Sequence, residues 1–142
     1  MKIIDSDFSN HIIKSVQKDL GNIFFFNHIA VVEFNEGVHV DINNSAEIFD
    51  EINAYFGTAK PFGVIANRVN SYSIKLLDVD LFREKVKNLC SYGVVSHNLA
   101  GKMNAEIESL FCLSEKICFD SIPDAINTVY SKVKNSTFFS LN

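Results

Sequence analysis

Apolar residues fall in short blocks along the chain, and the spacing within each block sorts them into strands and helices. His11 to Lys18 has strand character, Leu20-Gly21-Asn22 offers a turn, and Ile23-Phe24-Phe25-Phe26 reads as a second strand. Asn27-His28 turns the chain into a third, Ile29 to Asn35. Connections this short join antiparallel neighbours, so the first third predicts a three-stranded meander. Consecutive phenylalanines at 24, 25 and 26 point to alternate faces, which requires a strand covered on both sides and therefore inside the sheet.

After Glu36-Gly37-Val38-His39-Val40-Asp41 the period changes. Asn44 with Glu47 three residues on is a capping-box variant, and Ile48, Phe49, Ile52, Tyr55 and Phe56 share one helical face until Gly57 closes it. Pro61 introduces a buried strand, Phe62 to Ala66, followed by a polar loop, Asn67 to Ser73. A helix capped by Asp78 or Asp80 should then turn Phe82, Val86, Leu89 and Cys90 inward. Tyr92 to Ser96 is another strand, and His97-Asn98 leads into a helix with the stripe Met103, Ile107, Leu110 and Phe111. Lys116 to Phe119 supplies the last strand. Ser121, Pro123 and Asp124 start a final helix with Ile126, Val129, Tyr130 and Val133 inward. The order βββαβαβαβα predicts an α/β fold: a single mixed β-sheet, antiparallel meander first and parallel β-α units after, packed with about four helices. Residues 1–142 read as one domain with a core over 12–134, and 1–10 and 135–142 as peripheral tails.

Composition narrows the function classes. Hydrophobic residues make up 47% and charged residues 21%, a globular balance. The net charge of -4 and the lack of a Lys/Arg cluster argue against nucleic acid, since phosphate neutralisation needs several basic groups together. No stretch nears the roughly 18 apolar residues of a membrane span and the start lacks a secretory pattern, so the expectation is a cytoplasmic protein without membrane insertion. Cys90, Cys112 and Cys118 lack CxxC spacing and read as reduced core thiols.

Two strings, Phe34-Asn35-Glu36-Gly37-Val38-His39 and Lys60 to Ser73, resemble those of small stand-alone bacterial STAS-like proteins, the sulfate-transporter and anti-sigma-factor-antagonist family. The similarity in element order runs from about Ile12 to Lys134. The resemblance implies a non-enzymatic regulatory or protein-interaction module that docks a partner, such as a kinase-type regulator, or a small anion at the loop after the strand at 62–66. In that family this loop carries a phosphorylatable Ser, often within Asp-Ser-Ser-Gly. Here it reads Asn70-Ser71-Tyr72-Ser73, without the acid and the glycine, and Ser71 is the nearest phosphoacceptor position, with Ser73 second. A related fold in CRAL-TRIO-type domains keeps a small apolar ligand or lipid among the expectations, as do the 13 phenylalanines.

If the parallel strands share a direction, their carboxyl ends bring Asn67, Arg68, Asn70, Ser71 and Ser73 together with Ser96, His97 and Asn98, and Asp120 and Ser121 extend the row. One reading is a binding rim with Arg68 as charge anchor and helix N-termini as donors. The other is ordinary turn and cap use of Asn and Ser. His39 and Asp41 with His97 are too few and too loosely spaced for a metal site, and Glu36 with His39 forms an acid-base pair lacking a nucleophile motif. A hydrolase using His39 or His97 is the weakest alternative, and the Gly residues form no phosphate-cradling pattern, so no cofactor is expected. Phe138, Phe139 and Leu141 end a polar tail, and either fray or dock on the domain or on a second copy as a homodimer.

Overall fold

A computed structural model describes residues 1–98 and 117–140 of the chain. Two 3-10 turns, Ile3–Asp5 and Ser9–His11, precede the strands β1 (Lys14–Gln17), β2 (Gly21–Phe25) and β3 (Ile29–Phe34). The chain continues through β4 (His39–Val40), α1 (Ala46–Phe56), β5 (Phe62–Asn67), β6 (Ser73–Ile74), a 3-10 turn at Leu76–Asp78 and α2 (Val79–Lys85). It ends with β7 (Leu89–Val95), β8 (Cys118–Phe119) and α3 (Ile122–Ser140). Six strands form one mixed sheet in the order β1-β2-β3-β5-β7-β8, antiparallel up to β3 and parallel beyond it, as the element pattern predicts. The expected helix over Met103 to Phe111 lies outside the described residues.

The phenylalanine run places β2 as its alternation requires. Phe25 packs on one face of the sheet with Ile48 and Ile52 of α1 and Phe82 of α2, while Phe24 packs on the other with Val129 and Val133 of α3. Burying a Phe or Ile side chain is worth about 1.5–3 kcal/mol, so both faces must be covered for such a strand to be stable. The second face needs a further cover, and residues 1–12 supply it. Ile3 is 0% exposed within the α3-side core, and Phe8 and Ile12 pack against it, so the leader is part of the packed body. Close approach on this face also depends on Gly63 of β5, where an added Cβ would collide with Val129 Cγ1.

Four further elements depart from the spacing. Leu89 and Cys90 belong to β7 and not to the α2 face, because the parallel ladder extends back to them: Phe62 N donates to Asn88 O at 3.2 Å and Phe62 lies beside Leu89. Ladder bonds to a strand already in the sheet thus override a continuing helical period. α1 begins one residue later than the Asn44 cap: Ser45 is its N-cap residue, and Asp41 Oδ1 accepts from Asn43 N and Asn44 N ahead of it. Tyr130 is 38% exposed and does not join the α3 core, where Ala125, Val129 and Val133 fill the inward stripe. The segment from 135 to 140 continues α3 as helix. The Ser121 cap is formed as read, accepting from Asp124 N at 3.3 Å.

Candidate functional site

Parallel pairing aligns the carboxyl ends of β3, β5, β7 and β8. Arg68 N donates to Val95 O at 2.9 Å and Ser96 N to Phe119 O at 3.1 Å, so Arg68, Ser96 and His97, and Asp120 follow one another along one backbone edge. The side chains divide this edge between the two faces of the sheet.

On the α1 and α2 side, the long loops that leave β3 and β5 pair with each other. β4 and β6 form a two-stranded parallel sheet in which His39 is paired with Ser73 and Val40 with Ile74. Ser73 N donates to Val38 O and Lys75 N to Val40 O. Gly37, at φ +78, turns its N–H to Ser71 O at 2.7 Å, and Ser71 N donates back to Glu36 Oε2 at 2.7 Å. A positive φ is cheap only for glycine, so this reciprocal clasp explains the Glu36-Gly37 pair. His39 Nδ1 meets Ser73 Oγ at 2.7 Å, Asn70 Nδ2 donates to Phe34 O, and Asp78 Oδ2 accepts from Ile42 N.

The expected charge anchor is turned inward. Arg68 donates from Nη2 to Tyr72 O at 2.7 Å and lies 3.7 Å over the ring of Tyr72, whose side chain is buried against Phe34. Nor does a helix open at the loop, since β6 and a 3-10 turn separate Ser71 from Val79, where α2 starts. Among the features left at the surface are the hydroxyl of Ser71, which has no protein partner among the described residues, and three leucines. Leu76 is 52% exposed, Leu77 85% and Leu81 43%.

On the α3 side the leader covers part of the edge and takes up Asn67. Asn67 is no loop residue: it ends β5, is 3% exposed, and donates through Nδ2 to Met1 O at 2.9 Å and to Glu33 Oε2 at 2.7 Å. The same Glu33 oxygen accepts from Ile3 N at 2.8 Å, so a glutamate only 5% exposed clips residues 1–3 to the sheet. No cation pairs with Glu33 among the described residues. His97 lines a groove with Asp5, Asp7 and Ser121, and Asn98 O receives Ser96 Oγ at 3.4 Å.

These placements decide what the groups can do. His39 with Ser73 is a base beside a hydroxyl, but it bridges two exposed strands, and His97 lies with the leader instead of beside it. Glu36 and His39 engage different partners, Ser71 N and Ser73 Oγ. Among the described residues, no three His, Cys, Asp or Glu side chains come together as a metal site. No helix among them is long and apolar enough to cross a membrane. Burial raises the hydroxyl of Tyr55 above its ordinary pKa, and that hydroxyl donates to Phe26 O at 2.9 Å.

An apolar cavity of about 60 Å³ lies under β4 and β6, closed by Val32, Val64, Ile48, Phe82 and Val86. Sequence reasoning missed Glu33 and Leu77, although both carry a signal. Glu33 is a lone acid inside the apolar run Ile29 to Phe34, and Leu76-Leu77 is an apolar pair ahead of a helix start. No protein-family model, no curated protein and no solved structure matches the chain.

Proposed function

We propose that this chain is a regulatory protein-interaction module that docks a partner protein through the paired loops at the carboxyl ends of β3 and β5. The observation that carries the reading is Leu77, 85% exposed between Leu76 and Leu81 and in the 3-10 turn that follows β6. Three large apolar side chains exposed within six residues are a signal of contact with something that covers them part of the time, and a partner with an apolar pocket is the fitting occupant. The STAS resemblance assigns a regulatory docking role to the same loop, on independent grounds.

Ser71 is the switch point in this reading. Its hydroxyl faces solvent while its N–H holds Glu36. A phosphate there adds roughly -1.5 to -2 charge beside the Glu36 carboxylate, and like-charge repulsion opens the clasp. Modification therefore reshapes the docking face without needing Arg68 as an anion receptor.

The experiment is site-specific photocrosslinking in cells that make the protein. A benzophenone side chain at Leu77 should give one dominant crosslinked protein, and the same group at Lys134 on α3 should not. Identical product patterns from the two positions would sink the proposal.

A further inference from the structure

At the other end of the parallel strands the β2–β3 turn, the leader and α3 enclose a groove of about 390 Å³. That volume lies within the roughly 300–1,000 Å³ of small-molecule sites. Its walls are Phe8 of the leader, Phe26 at the end of β2 and Tyr130 of α3. Tyr130 is the residue that helical spacing places in the core and that the fold instead leaves 38% exposed, with the His28 ring 5.8 Å from its own.

Four polar side chains reach the same groove: His11, Asn27, His28 and Asn127. None of the four makes a side-chain hydrogen bond to protein among the described residues, in contrast to the consumed groups of the carboxyl-end loops. No lining residue is acidic, and Lys134 Nζ stands 5.3 Å from the Tyr130 ring centroid. Aromatic walls, several unspent donors, no acid in the lining and a lysine outside the lining but over the Tyr130 ring point to one ligand chemistry.

We infer that this groove is a binding site for a small planar aromatic anion, its ring packed against Tyr130 and Phe26 and its carboxylate held by the imidazoles and Lys134. The site is independent of the docking face, so the failure of either leaves the other standing.

The probe is 2-naphthoate, titrated into the protein while the four histidine imidazoles are followed by NMR, with His→Asn variants for assignment. His11 and His28 should shift and saturate, and His39 and His97 should stay put. Tyr130→Ala, a change at an exposed position, should weaken binding about tenfold, the usual scale of one lost aromatic contact. 2-Naphthylmethanol, which keeps the ring and lacks the charge, should bind several-fold more weakly. No saturable shift at millimolar probe, or equal shifts at all four histidines, would overturn the site, and equal binding of the two ligands would overturn the anion assignment.

Discussion

Replacing Glu33 with alanine removes the acceptor on which two buried donors depend. Ile3 N and Asn67 Nδ2 both donate to Glu33 Oε2, at 2.8 and 2.7 Å, and Glu33 is 5% exposed. A buried donor left without an acceptor costs about 1–3 kcal/mol. Two such losses are partly offset, because burying a carboxylate with no cation partner is itself unfavourable, so the expected loss of stability is about 2–3 kcal/mol. That equals what the fully buried Ile3 side chain contributes, about 1.5–3 kcal/mol. With Phe8 and Ile12 still packed, the leader should open from the sheet more often while the rest of the fold survives. Hydrogen exchange resolved by residue checks this: amides of residues 3–12 should lose protection in Glu33→Ala, with those of β3 and β5 largely retained. Glu33→Gln keeps an acceptor and sheds the charge, so it should lose less in urea unfolding. Unchanged protection over residues 3–12 in Glu33→Ala would refute the clip.

Ser71→Glu should open the clasp by repelling Glu36, seen as faster exchange at the Gly37 and Ser71 amides, with global stability changed by less than about 1 kcal/mol because both positions are exposed. Tyr55 supplies a pH dependence. Its folded pKa lies above the ordinary 10.0, so its stabilising contribution is complete below pH 10 and is lost as pH rises through the folded value. Tyr55→Phe should flatten that alkaline loss in a urea series and lower stability at neutral pH by about 1 kcal/mol for the missing bond to Phe26 O.

The architecture was legible because each strand carries its own period. Phe24 and Phe25 had to face opposite covers, and short turns had to make an antiparallel start, although the first turn lies at Lys18 to Leu20 and Gly21 and Asn22, read as turn residues, are already paired in β2. What spacing misplaced was decided by partners distant in sequence. Leu89 left its helix because Phe62, 27 residues earlier, offered ladder bonds, since 89 − 62 is 27. Asn67 and Arg68 read as loop polars because nothing near them in sequence reveals Met1, Glu33 or the Tyr72 ring as their partners. The rim was half legible for the same reason. Strand direction gave the backbone edge, whereas side-chain direction depended on the leader covering one face and the β4–β6 pair roofing the other.

The 13 phenylalanines first raised the carrier reading, and their positions limit it. Phe25 meets Tyr55 at 4.3 Å, Phe56 stacks on Phe62 at 4.5 Å, Phe34 meets Tyr72 at 4.7 Å and Phe49 meets Phe82 at 5.6 Å. These rings fill the space between the sheet and α1 and α2, and what remains is about 60 Å³. An engineered cavity that takes up benzene is about 150 Å³, so a lipid would require α2 to swing away and expose Val79, Phe82 and Val86. Docking makes the opposite demand. Leu76, Leu77 and Leu81 present a surface only while α2 stays seated on the apolar floor beneath it. One short helix cannot serve both uses at once, and the packed aromatic pairs favour the seated one.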